Sequence, residues 1–437
     1  MLGLVSRRLA CPRGFAAAWL ILSALALAAC QGETIPSRPE QAQATQPPIQ
    51  PIPGAPVTQT PLPGGPAGKV RVALLLPLSG PNAVLGNAML DAAQMALYDV
   101  ADEKLELLPH DTQGNAEAAA AAAKTAVSEG ARLIIGPLIA AEVDAVKPIA
   151  RAAGVPVVAF STATQLAGDG TNLMGFLPRQ EIERVVGFAH SKGVSRFAVI
   201  APSTPYGDVA VDAMRAAVQA DGDTLERVER YDPNVQDLTP SVQHLVGATM
   251  DPAVRQKLLS KQSAAGKDAA AQLPDIVIPF DAILIPEGGN RLKAVAPLLP
   301  YYDVDPDKVH FLGTGLWDEP GLGTEPALNG GWYAAPPPGA RADFVERFRQ
   351  VYKRPPPRLA TLAYDATALA AVLARNPNGP DFSAAALTNP SGFAGVDGIF
   401  RLRPDGLIQR GLAVLEVHRN GNTVVSQAPT TFQAIGY

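Results

Sequence analysis

The chain reads as an α/β protein of two similar lobes, each a parallel sheet with helices on both faces, and three observations predict it. From Lys69 onward, short β-rich apolar runs alternate with Ala-rich amphipathic stretches, the pattern of βαβ units. The stretch "RLIIGPLIAAEV", Arg132 to Val143, reads as a buried strand passing through Gly136-Pro137 into a helix start. The strand-helix series then occurs twice. With 437 residues, 47% of them hydrophobic and 18% charged, there is material for about two compact domains.

In chain order, "VRVALLLPL", "KLELLPHDT", "ARLIIGPL" and "VPVVAFST" are expected strands, with helices starting near Val84, Asn115 and Ala140. The second series has strands at "RFAVIAPS", "DTLERVERY", "DAILIPEGG" and "KVHFLGTG", separated by helices near Gly207, Leu238 and Asn290. Between them, Gly247 to Pro279 is rich in Ala, Lys and Gln and reads as a helix plus loop, either a solvated face or a partner-binding excursion. Two late helices, "ADFVERFRQVYKR" and "RLATLAYDATALAAVLARN", need a surface to pack on, and "GVDGIFRLRPDGLIQRGLAVLEVHRNGN" closes the chain with a hairpin-like pair. Returning the helices to the first lobe and the last strands to the second makes both lobes discontinuous. The first lobe then takes about 69–177 and 333–396, the second about 178–332 and 397–437, and three segments form the hinge.

The front of the chain carries an address. Arg7, Arg8 and Arg13 precede the apolar run "FAAAWLILSALALAAC", which fits a secretory signal over residues 1–29. Its end, Leu27-Ala28-Ala29-Cys30, resembles the bacterial lipobox, which implies that Cys30 is acylated and becomes the new N-terminus. Cys11 lies in the removed part, so the mature chain can form no internal disulfide. Residues 30–68, with "TQPPIQPIPGAPVTQTPLPGGP", read as a proline-rich tether; at roughly 3.1 Å per residue it reaches about 100 Å. Cys30→Ser is expected to release the protein from membranes or leave an uncleaved precursor in the inner membrane. Unchanged fractionation would contradict the anchor.

Several function classes are disfavoured. A net charge of -5, with no basic stripe, gives no footprint for nucleic acid. His110, His190, His244, His310 and His418 show no HxxxH or HExxH spacing, there is no CxxC, and no metal or cofactor is expected. Neither a GxSxG elbow nor a GxxxxGK[ST] loop is present, so no catalytic residue is assigned. In "HDTQGN", Asp111 reads as a turn cap, and Asp365 as a local cap or pair.

The segments "VRVALLLPLSGPNAVLGNAMLDAAQMAL", "IIGPLIAAEVDAVKPIARAAGVPVVAFSTATQL" and "RFAVIAPSTPYGDVAVDAM" resemble the type I periplasmic-binding fold of branched-chain amino-acid receptors. Within that fold, "IPFDAILIPEGGNRLKAVAPLLPYYDVDP", "FLGTGLWDEP" and "ALNGGWYAAP" resemble the penicillin-binding protein activators, a group of outer-membrane lipoproteins. The resemblance implies a two-lobed Venus flytrap of Rossmann-like layers, a non-enzymatic periplasmic protein, and contact with a peptidoglycan synthase. The alternative it leaves open is a solute-binding lipoprotein of an ABC importer. The better-known activators carry an N-terminal helical-repeat domain, where this chain has its tether.

By the same resemblance, amino-acid receptors grip the ligand carboxylate with a hydroxyl at the place of Ala140. They hold the ammonium with an acid at the place of Gly315, and use an aromatic hydroxyl at the place of Leu284. All three groups are missing. Ser79, Asn82, Ser161, Thr162, Tyr206 and Glu287, at strand ends where parallel sheets bind ligands, form the expected polar lining, with Trp317 beside them. Each hydroxyl or amide also reads as a turn or cap residue, and Trp317 and Trp332 as packing.

Overall fold

The computed structural model describes residues 68–100, 104–248, 250–257 and 277–432. The signal, the tether up to residue 67 and residues 258–276 of the expected excursion lie outside the described residues.

The first sheet runs in the order β2-β1-β3-β4-β5, all parallel, built from β1 (Val70–Leu76), β2 (Leu105–Asp111), β3 (Leu133–Ile135), β4 (Val157–Ala159) and β5 (Thr171–Leu173). Between the strands come α1 (Ala83–Val100), α2 (Ala116–Ser128) and α3 (Ala140–Ala152). Side chains of β1 alternate between two cores. Val72, Leu74 and Leu76 pack with Met89 of α1, and Ala73 and Leu75 with Ala119 and Val143 of α2 and α3. That double burial explains why the strand is apolar at nearly every position.

The second sheet has the order β15-β14-β10-β9-β8-β6-β7. Its parallel part is β6 (Arg196–Pro202), β7 (Thr224–Tyr231), β8 (Ala282–Leu284), β9 (His310–Gly313) and β10 (Trp332–Ala335), with α4 (Pro178–Ser191), α5 (Pro205–Asp221) and α6 (Thr239–Val246). The antiparallel strands β14 (Ala413–Glu416) and β15 (Thr423–Ser426) close its edge. A separate antiparallel sheet holds β11 (Phe393–Gly395), β12 (Gly398–Leu402) and β13 (Ile408–Arg410).

Leu362 and Leu369 of the helix Ala360–Ala374 enter the core of the first lobe. The lobe limits shift at two places. Trp332–Ala335 pairs within the second sheet, so the first lobe resumes only after Ala335. Phe400, Leu402 and Ile408 bury in the core of the first lobe, so the return to the second lobe falls after Arg410 and not at 397.

Each lobe sets its first strand-to-helix turn with a glycine. A Cβ on Gly86 would lie 2.0 Å from Pro77 O, and one on Gly207 would lie 2.0 Å from Pro202 O. Gly207→Ala is therefore expected to cost about 1–3 kcal/mol by forcing α5 away from the end of β6. A thermal melt unchanged from wild type would contradict this.

Candidate functional site

The carboxyl ends of the parallel strands in both lobes carry the expected residues, and those of the first lobe are organised by two acids. Asp111, at the end of β2, accepts hydrogen bonds from Leu78 N (2.8 Å), Ser79 N (3.2 Å), Ser79 Oγ (2.6 Å) and Gln113 N (2.8 Å). Burial would raise its pKa, but the Ser79 hydroxyl and these amides hold it below the usual value. Ser79 thus ties the loop to the end of β2. Asn82 is half-buried; its carbonyl accepts from Gly86 N (2.9 Å) at the start of α1.

Glu142 is the second acid, in the first turn of α3, and it explains why that turn offers no hydroxyl. Its Oε2 accepts from Ile139 N (3.2 Å), its Oε1 from Thr112 Oγ1 (2.7 Å), and the residue is fully buried. A helix start is a natural anion site, and here the chain supplies its own anion. Burial raises the Glu142 carboxyl above its ordinary value, against the Thr112 hydroxyl and the amides of Ile139 and Leu138. Ser161 is buried, with Oγ accepting from Ala163 N (3.2 Å) in a turn, and Thr162 beside it is exposed.

On the second lobe, Tyr206 stands in the first turn of α5 with its hydroxyl 3.0 Å from Thr314 Oγ1. Glu287, after β8, accepts a short hydrogen bond from the hydroxyl of Tyr231, a residue the sequence did not single out. Arg291 covers the Tyr231 ring at 5.4 Å. Leu284 itself is fully buried within β8 and does not mark the place of a cleft hydroxyl. Trp317 also requires correction. It is fully buried in the core of the second lobe, its Nε1 donating to Ile285 O at 3.2 Å, because glycine at 313 lets the indole lie against the strand. Trp332 packs too, stacked on His310 with ring centroids 4.1 Å apart.

The sequence also missed Glu181. It projects from the first turn of α4, and Gly315 N donates to its Oε2 at 2.9 Å. A Cβ at 315 would lie 2.6 Å from its Oε1, so the glycine that lacks the receptor acid makes room for another acid. Burial lifts the Glu181 carboxyl to about 7, against the Gly315 amide and the charges of Arg358 and Arg410. Burial and the charge of Glu181 push the Tyr206 hydroxyl up as well, with a smaller contribution from Glu287. Both acids therefore act on the same hydroxyl.

Between the lobes lies a charged hinge. Phe176, in the first crossing, is flanked by the guanidinium groups of Arg358 at 4.2 Å and Arg410 at 4.7 Å. Arg358 pairs with Asp397 (2.9 Å) and Asp318 (3.3 Å), and Arg341 also holds Asp318 (3.0 Å). Arg410 Nη2 donates to Met174 O at 2.9 Å, and Asp365 Oδ1 accepts from Val396 N at 2.8 Å. Asp365 therefore pairs across 31 residues of sequence, not locally.

Among the described residues, one group close enough to share a cation is His190, Asp221 and Asp223, with ligand atoms within 4.8 Å of one another. His190 is nine residues past Glu181 on α4, about 13 Å along the helix, so this group is separate from the strand-end acids.

Comparison with known proteins agrees with this architecture. A putative branched-chain amino-acid ABC transporter protein from Rhodospirillum rubrum superposes with a TM-score of 0.65 at 19% identity, over 82% of this chain and 100% of that one. LivJ of Streptococcus pneumoniae, solved with isoleucine, gives 0.55 at 17% identity over 82% and 99%. A solute-binding protein of R. palustris, solved with benzoate, gives 0.56 at 16% identity over 84% and 98%. An uncharacterised protein of Rickettsia prowazekii (strain Madrid E) is 23% identical over 179 residues, 40% of this chain and 47% of that protein, so the match spans about half its length. The profile of the family described as periplasmic binding protein matches residues 69–422, and the chain belongs to that family.

Proposed function

We propose that the protein is a non-enzymatic, lipid-anchored periplasmic binding protein whose interlobe cleft takes a small solute other than a branched-chain amino acid. The observation that carries this reading is Glu142, whose carboxylate fills the start of α3 where receptors of this fold would grip a ligand carboxylate. Ser79, Asn82, Thr162, Tyr206 and Glu287 supply the polar lining, and solved members of the fold were crystallised with isoleucine and with benzoate. Native mass spectrometry of the full chain extracted gently from the envelope tests it. A bound mass lost on mild unfolding supports the reading, and a bare chain under several growth conditions contradicts it.

A second reading, regulation of a peptidoglycan synthase from the outer membrane, is favoured by the resemblance around "IPFDAILIPEGGNRLKAV" and by Asp318, which two arginines hold across the hinge. Such pairing suits a domain that presents a fixed surface. Recovery of a transpeptidase-glycosyltransferase with the detergent-solubilised protein supports it; recovery of a permease or its ATPase instead supports solute import.

A further inference from the structure

We propose that the cleft selects a ligand bearing a primary ammonium group and no carboxylate, with Glu181 receiving the ammonium and Glu142 excluding the acid. This rests on the small-solute reading above and names its ligand class. The two lobes contribute opposite halves of the argument.

On the first lobe, the amide of Ile139 at the start of α3 is already bonded to Glu142, and the Thr112 hydroxyl is bonded to it as well. Asp111 lies near enough for its charge to oppose ionisation of Glu142. A ligand carboxylate arriving here meets two acids, and the Ile139 amide and the Thr112 hydroxyl are already engaged. Removing that carboxylate from water without a partner is strongly unfavourable.

On the second lobe, the acceptor is present. Glu181 stands over Gly315, with one carboxylate oxygen bonded to the Gly315 amide and the other beside the space where a side chain on 315 would begin. The Tyr206 and Thr314 hydroxyls, 3.0 Å apart, add two oxygens, and Glu287 adds negative charge near Tyr206. The cations facing Glu181 are Arg358 and Arg410, and the further acid is Asp318. Arg358 is tied to Asp318 and Asp397, and Arg410 to Met174 O and the Phe176 ring. A primary ammonium has three donors for these oxygens and a charge for the carboxylate.

Protonation separates an ammonium from a neutral hydroxyl. An ammonium binds ionised Glu181 better than neutral Glu181, so its affinity rises as pH increases through about 7. A neutral sugar hydroxyl gains only the charge-assisted hydrogen bond and not the ion pair, so its dependence is weaker.

Calorimetry on the full chain in detergent tests this with five probes: isoleucine, 2-methylbutylamine, which lacks its carboxylate, 3-methylpentanoate, which lacks its ammonium, and the pair glucosamine and glucose. Binding of at least one amine is expected, tightening severalfold between about pH 6 and about pH 8, with neither carboxylate bound. Glu181→Gln is expected to weaken the amine about tenfold or more and to flatten its pH profile. Binding of isoleucine or 3-methylpentanoate in preference to the amines would overturn the exclusion and leave the small-solute reading intact. Glucose binding as well as glucosamine would overturn the ammonium and again leave that reading intact. If none of the five binds, this inference falls, while native mass spectrometry still judges the broader reading separately. Should Glu181→Gln not fold, Glu142→Gln serves instead: it is expected to admit 3-methylpentanoate, and continued exclusion would overturn the role of Glu142.

Discussion

Replacing Arg410 with methionine is expected to destabilise the protein by about 3–5 kcal/mol, and by more at alkaline than at acid pH. Arg410 is only 7% exposed, sits over Phe176 and Phe400, and reaches Met174 O of the first crossing. Its main-chain N–H donates to Gln180 Oε1 (3.1 Å), so the residue joins the first and third crossings twice. Burial lowers the pKa of the guanidinium, against the charges of Asp397 and Asp365. Methionine matches much of the volume but removes the cation that holds Asp365 down and leaves Asp397 and Glu181 with Arg358.

The pH dependence follows from the same acids. Burial first, and then the charge of Asp397, raises Asp365; burial raises Glu181 to about 7. An acid whose pKa is higher folded than unfolded contributes stability in full below its unfolded value, near 4, and loses it as pH rises through the folded value. Without Arg410 both folded values move higher, so more of the penalty is felt once the solution is alkaline. Denaturant melts of the full chain at about pH 5 and about pH 8 measure this. A deficit below about 1 kcal/mol, or one equal at both pH values, would contradict the network.

Much of the fold was readable because local rules and the global sheet agree. The runs "VRVALLLPL" and "RFAVIAPS" are strands buried on both faces, and helix starts at Asn115 and Thr204 coincide with side chains that cap them. The site was readable on one wall in part. Glu142 stands three residues after the Ile139 cap, a spacing that signals a carboxylate folding back on its own helix start.

Glu181 carried no such signal. Its partner Gly315 is 134 residues away, and in "LPRQEIERVV" it is one of two glutamates on an amphipathic helix. The hinge was hidden for the same reason: Arg358 pairs with Asp318 in the other lobe and with Asp397, each about 40 residues away in sequence. Trp317 misled because a tryptophan just past a strand end looks the same in sequence whether it faces a cleft or, as here, fills the groove left by Gly313.

Leucine, isoleucine and valine are expected not to bind with micromolar affinity, and the reason lies on one wall. The ammonium side is restored by Glu181, so the acid missing at Gly315 is not enough to exclude an amino acid. On the first lobe, Ala140 offers no hydroxyl, and the Ile139 amide is bonded to Glu142. A charge-assisted hydrogen bond is worth roughly 1.5–3 kcal/mol. Losing the hydroxyl and the amide therefore removes about 4 kcal/mol, on the order of a thousandfold in affinity, before any repulsion from Glu142 or Asp111 is added. A micromolar receptor becomes a millimolar one at best. Calorimetry on the full chain decides it, and a micromolar dissociation constant for any of the three would overturn this account of the wall. The double variant Ala140→Ser with Glu142→Gln restores the hydroxyl and removes the competing charge while keeping a side chain that can still reach Ile139 N. It is expected to recover binding by about tenfold or more, because the serine returns a hydrogen bond to the ligand carboxylate and the glutamine removes the charge that opposes it. Glu142→Gln alone should give the smaller share, since Ala140 still provides nothing to bond.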